Sequence, residues 1–142
     1  MNFATLEDFD DVWSIFKENK EWFPHVWNTK IRKRIVNNEL IFENGVVITF
    51  SVHKRNTKIG TCAAKTGDVV LHQIVSSKRD GSAKRVILDF FDYVNTDLYL
   101  TVRKSNARAC SFYERVGMTH VGIISWANGT IPGLVWRKEK GN

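Results

Sequence analysis

The sequence predicts an α/β domain with a mixed, mostly antiparallel central sheet flanked by about four helices. Three observations predict it. Apolar residues switch between strict alternation and helical spacing several times along the 142 residues. Turn signals separate extended runs in the middle of the chain, as antiparallel hairpins require. The second half reads strand, helix, strand, helix, strand, which demands some parallel pairing. The length suits one domain, taken as residues 1–142.

Each element has its own reason. "NFATL" near the N-terminus is a short strand. Thr5 then opens a helix, with Asp8 three residues on in a near capping box. Leu6, Phe9, Val12, Trp13 and Phe16 give that helix one apolar face. Pro24 breaks it, and a second helix is expected over about 25–38, with Trp27, Ile31 and Ile35 on one side. "NNELIFENGVVITFSVHKR" holds a short strand and a long one around the turn signal Asn44-Gly45. "KIGTCAAKTGDVVLHQIVSS" reads as two strands around Thr66-Gly67-Asp68. From Ser82 the period changes, and Ala83, Val86, Ile87, Phe90, Phe91 and Val94 mark a helix over 82–94. "LYLTV", 98–102, is nearly all apolar, so both its faces are expected to be buried. A helix follows and stops at Gly117. "HVGIISW" and "GLVWR" are two closing strands around a turn-rich "ANGTIPG". The resulting order is β-α-α-β-β-β-α-β-α-β-β.

Composition narrows the function classes. With 43% hydrophobic residues, the chain can build a core, which excludes an intrinsically disordered segment. No apolar run approaches the roughly 20 residues that a membrane span needs. "MNFATLEDFDD" is acidic and lacks a long apolar stretch, so it does not read as a signal peptide. Cys62 and Cys110 are far apart and show no metal spacing, which points to a reducing, cytoplasmic setting and to no metal site. The net charge of +6 favours an anionic partner, either nucleic acid or a phosphate-rich cofactor.

Two segments carry more. In "LYLTVRKSNARACSFYERVGMTHVG", 98–122, an apolar strand leads through a polar loop with Asn106 into a helix bearing Ala109, Phe112 and Tyr113, then Gly117 and Met118. In "KRDGSA", small residues follow a strand and open a helix. There backbone N–H groups and the helix dipole suit phosphate. Together with the element order, these segments resemble the GNAT superfamily of acyl-CoA N-acyltransferases, over essentially the whole chain. The chain departs from the family's usual Gln/Arg-x-x-Gly-x-Gly/Ala loop in having Lys78 at the first position, and the loop after "QIV" is short.

The resemblance implies a GNAT-like fold, acetyl-CoA as cofactor, and transfer of an acetyl group to a primary amine. It implies backbone contacts to the cofactor near Ile74, Val75 and Ser76. It also implies a pyrophosphate cradle at Arg79, Asp80, Gly81, Ser82, Ala83 and Lys84, within a basic cluster of Lys78, Arg79, Lys84 and Arg85. Tyr113 is the implied general acid for the departing thiolate. Its ordinary pKa near 10 keeps the phenol protonated at neutral pH. Asn106, two helical turns earlier, would hydrogen-bond the pantetheine arm; its alternative role is a helix cap. Many relatives place a glutamate on the cofactor-binding strand, and "VVLHQIVSS" has none. His72 is the conventional base available there, with His25, Glu39 and Glu43 as alternatives, or solvent.

The acceptor is expected against the first two helices and the last strands, where Trp22, His25, Trp27 and Trp126 could wall a pocket or stack on a base. "KIRKR", 30–34, is either a solvated helix face or an attractor for acidic peptide or nucleic acid. The expected acceptor is therefore a small molecule, a peptide or a nucleic acid, and the chain a monomer or homodimer. The competing readings are a GNAT-like nucleic-acid-modifying enzyme and a catalytically silent binding module of the same fold.

Overall fold

The change of period at Ser82 does produce a helix, and the strand on either side of it fixes the sheet. In a computed structural model, residues 1–78 and 80–140 are described. The chain forms a 3-10 turn (Leu6–Asp8), then α1 (Phe9–Glu18), α2 (Asn28–Val36), β1 (Leu40–Glu43) and β2 (Val46–Val52). There follow β3 (Thr57–Ile59), β4 (Cys62–Ala64), β5 (Val69–Ser76), α3 (Ser82–Tyr93), β6 (Leu98–Arg103), α4 (Ala107–Arg115), β7 (Thr119–Trp126) and β8 (Ile131–Lys138). Six strands form a sheet in the order β1-β2-β5-β6-β8-β7, and β3 pairs with β4 separately. The β1–β2, β6–β8 and β7–β8 pairs are antiparallel, and β5–β6 is parallel. This is the mixed, mostly antiparallel sheet with four helices that the sequence predicts.

Three expectations are corrected. The first strand reduces to one isolated bridge, Phe3 to Ile41, because Thr5 turns the chain away at once. Its amide donates to the Asp8 carboxylate at 2.9 Å, closing the capping box around a 3-10 turn before α1 proper. The second helix begins at Asn28 rather than 25 and ends at Val36, because residues 19–27 are occupied by successive turns. The run before Thr66-Gly67-Asp68 is two short strands, β3 and β4, since the chain reverses at Gly60-Thr61.

The chain divides into two compact units, each described by itself: Met1–Phe50 with His72–Phe90, and Ser51–Leu71 with the chain from Phe91 onward. In the first, α1 and α2 bury Phe9, Val12, Ile15, Phe16, Ile31 and Ile35 against Leu40, Val47 and Val75. The helical spacing of these residues supplies one inward stripe per helix. Each such side chain contributes about 1.5–3 kcal/mol of transfer free energy. Phe50 of β2 meets Phe90 of α3 with ring centroids 4.9 Å apart.

In the second unit, Leu98, Tyr99 and Leu100 are buried, and the last residues of β6 are progressively less so. A small cluster of Ala64, Tyr99 and Val135 lies under the β3–β4 hairpin, joined by Ile59, Cys62, Val121 and Ile124. The hairpin tip clips the edge strand β7. The Thr61 amide donates to the Ile123 carbonyl at 2.9 Å, and the Ile123 amide donates to the Thr61 hydroxyl at 3.0 Å. Backbone groups that an edge strand would otherwise present to another chain are thereby satisfied.

Candidate active site

In the first unit, β5 ends in a tight turn that leads into α3. The Ser76 hydroxyl donates to the Lys78 carbonyl at 2.7 Å and accepts from the Lys78 amide at 3.1 Å. Gly81 lies at φ +87°, a left-handed conformation that favours glycine, and a Cβ there would meet nothing within 4 Å among the described residues. Among the described residues, the space beside Gly81 is therefore open. Ser82 is buried, Ala83 is half-buried and Lys84 is exposed. The first turn of α3 holds Lys84 and Arg85 and no carboxylate, an arrangement that the helix dipole disfavours unless an anion sits nearby.

One anion is already there. The Asp80 carboxylate accepts from the Ser82 amide at 3.0 Å and from the Ser82 hydroxyl at 2.5 Å. Those two bonds, the hydroxyl's first, hold Asp80 below the usual carboxylate range, with Lys78 adding a smaller pull. So of the cradle expected at residues 79–84, the Ser82 amide is engaged by the chain's own carboxylate. Arg79 lies outside the described residues. Ile74 and Ser76 are half-buried, and Val75 belongs to the core of the first unit.

Also in the first unit, the expected base His72 is exposed on β5. Glu39 is paired with Arg34 and Glu43 with the N-terminal amine, each at 3.5 Å, which leaves both carboxylates engaged. The sequence reading missed a polar pair on the inner face of the sheet. Thr49 is fully buried at 0% exposure. Its hydroxyl donates to the Gln73 carboxamide oxygen and accepts from the Gln73 amide at 3.0 Å. The available signal was polar residues in inward register within two apolar strands, Thr49 in "VVITF" and Gln73 in "LHQIV". Trp22, His25 and Trp27 are all exposed on the segment before α2.

In the second unit, Asn106 caps α4, its side-chain oxygen accepting from the Ala109 amide at 3.2 Å. With Oδ1 so engaged, the Nδ2 group is the part of this carboxamide that can donate to a ligand. α4 ends in a Schellman motif. The Met118 amide donates to the Tyr113 carbonyl at 3.0 Å and the Gly117 amide to the Glu114 carbonyl at 3.1 Å, with Gly117 at φ +93°. Tyr113 is 8% exposed. Its ring lies 5.9 Å from Phe112 and 6.2 Å from Trp136. Burial, with a smaller contribution from Cys110, pushes its phenol up to about 12. Burial also raises the Cys110 thiol, which disfavours the nucleophilic thiolate. Trp126, on β7, lies over Gly133 of β8, where a Cβ would strike its indole. This residue is thus packed across its own hairpin.

No protein-family model matches the chain, and no curated protein matches it. Solved structures do. A GNAT-family acetyltransferase from Streptococcus agalactiae superposes with a TM-score of 0.76 at 13% identity, over 99% of this chain and 95% of that one. One from Bacillus cereus gives 0.73 at 15% identity, over 99% and 96%. The ribosomal-protein-S18-alanine N-acetyltransferase of Escherichia coli gives 0.68 at 14%, over 99% and 93%. The chain thus has the fold of the GNAT acetyltransferases, at identities that speak to fold alone.

Proposed function

We propose that this chain is an acetyl-CoA-dependent N-acetyltransferase that acetylates a primary amine by direct attack. The observation that carries the reading is Tyr113, a phenol almost withdrawn from water and held protonated across the physiological range. A phenol kept protonated in this way can donate its O–H to an anion that develops beside it. The open space at Gly81 and the cationic first turn of α3 fit a pyrophosphate, provided that Asp80 yields the Ser82 amide.

When bound, acetyl-CoA would supply the thioester whose acyl carbon the amine attacks. The chain's own residues would do the rest. The amides of residues 80–84, with Lys78, Lys84 and Arg85, would hold the phosphates. The backbone of Ile74–Ser76 and the Nδ2 of Asn106 would align the pantetheine arm. Positioning of this kind supplies much of the rate enhancement in two-substrate transfers. Tyr113 would direct its O–H at the departing sulfur and stabilise the developing negative charge. His72, or solvent, would take the proton from the amine.

The engagement of Ser82 by Asp80 favours one second reading, a binding module of this fold without turnover. Calorimetry with acetyl-CoA and desulfo-CoA separates the two. Saturable binding at sub-millimolar cofactor, followed by turnover on an amine panel, is the expected outcome. Failure to bind either compound would refute the enzyme.

A further inference from the structure

The charge of this chain is not spread evenly. Residues 17–34 carry six lysines and arginines against the two carboxylates Glu18 and Glu21, a net +4 out of the chain's +6. In the same stretch lie Trp22, 59% exposed, and Trp27, 64% exposed. Neither ring is on a loose loop. Between them Phe23 and Val26 pack against the core of the first unit, and Phe23 meets Phe16 edge-on at 5.8 Å. The turns are pinned by the Trp22 amide on the Asn19 carbonyl at 3.0 Å and the Val26 amide on the Phe23 carbonyl at 3.3 Å. The inner residues anchor the segment and leave two large aromatic surfaces facing water.

α2 adds the charge. Ile31 and Ile35 turn inward, 1% and 3% exposed, so Lys30 and Lys33 stand on the outer side. Among the described residues, neither lysine has a carboxylate partner within ion-pair distance. Arg32 instead lies over the Phe9 ring, 3.8 Å from its centroid.

From this anchored pairing of aromatic faces with unpaired cations, we propose that the 19–34 surface of the first unit binds single-stranded nucleic acid, Trp22 and Trp27 stacking on bases and Lys30 and Lys33 meeting phosphates. Planar rings stack on any base, and cations track the backbone. A membrane surface fits less well, because α2 spends its apolar stripe on the core and offers no outward one. An acidic peptide would use the lysines and leave both indoles uncovered. The proposal rests on this surface alone and holds whether or not the chain transfers an acetyl group.

The test is fluorescence anisotropy with a fluorescein-labelled single-stranded oligonucleotide of mixed sequence, as DNA and as RNA, over a salt series. The expected result is saturable binding that duplex of the same sequence does not match. Trp27→Ala should weaken it about tenfold, and Trp27→Phe should restore part of the loss. Lys30→Gln with Lys33→Gln should lower the slope of log affinity on log salt by about 1.4. A tighter complex with one of DNA or RNA identifies which source supplies the strand. Lack of binding at low salt overturns the proposal. So do Trp variants that bind as well as the parent, and so does tighter association with phosphatidylserine vesicles or polyglutamate than with the oligonucleotide. Acetyl-CoA calorimetry on the same preparation, expected to be unaltered by the lysine substitutions, keeps a failure here distinct from a failure of the acetyl-transfer reading.

Discussion

The Asp80 carboxylate holds both the amide and the hydroxyl of Ser82 at the start of α3. On the proposed function, this carboxylate would compete with the cofactor's phosphates for that amide. Asp80→Asn keeps an oxygen for the Ser82 amide and removes the charge. It should tighten CoA binding, on the order of threefold, as calorimetry at low ionic strength would read. The sign of the acid response also follows. The folded-state pKa of Asp80 is lowered, so its stabilisation is present above the ordinary carboxylate pKa and is lost as pH falls through the depressed one. Asp80→Asn should flatten that part of the acid limb.

On the proposed mechanism, Tyr113→Phe should lower turnover by about a hundredfold while leaving cofactor affinity nearly unchanged, because the lost O–H would act on the departing thiolate rather than on the bound ground state. An unchanged kcat would remove Tyr113 from the acid role.

The same phenol predicts an alkaline signature. Its pKa rises from 10.0 unfolded to about 12 folded, so its stability contribution is complete below pH 10 and declines as pH rises from there through 12. Two units correspond to about 3 kcal/mol. Denaturant unfolding of the parent and of Tyr113→Phe should diverge over that window, with the variant declining less.

Asn106 can be split into its two roles. Asn106→Ala removes the cap and should cost about 1 kcal/mol of stability. Asn106→Ser keeps a capping oxygen and deletes the Nδ2 donor. If Asn106 holds the pantetheine arm, Asn106→Ser weakens CoA binding at nearly constant stability. If both quantities stay at the parent's level in Asn106→Ser, Asn106 is a cap alone.

Thr49→Val fills the same space but removes the hydroxyl that accepts from the Gln73 amide. It should destabilise by about 2 kcal/mol in urea, despite being nearly isosteric. A neutral result would mean that Gln73 finds another partner.

Much of the fold was legible in the sequence because its elements announce themselves by period and punctuation. Val86, Ile87 and Phe90 recur at helical spacing, Asn44-Gly45 marks a two-residue turn, and Gly117 marks the end of α4 at positive φ. These are local properties of a few neighbouring residues. The misreadings fell where a local pattern was ambiguous. Phe3 is in extended company but makes an isolated bridge rather than a strand. Trp27 fits the helical stripe of α2 yet ends up as its N-cap residue, exposed, because the Phe23 and Val26 side chains claim the core first.

The sequence by itself determined the class of the fold, the order of its helices and most strands, and the residue types available to the proposed acetyl transfer. Only the tertiary structure decided how those residues are engaged. Asp80 reaches across to Ser82, Asn106 spends its oxygen on Ala109, and Tyr113 loses its water against Phe112 and Trp136. Trp22 and Trp27 keep theirs. Period and composition report which face of an element is apolar. Burial, pKa and the partner of a polar group depend on what the rest of the chain brings against that face.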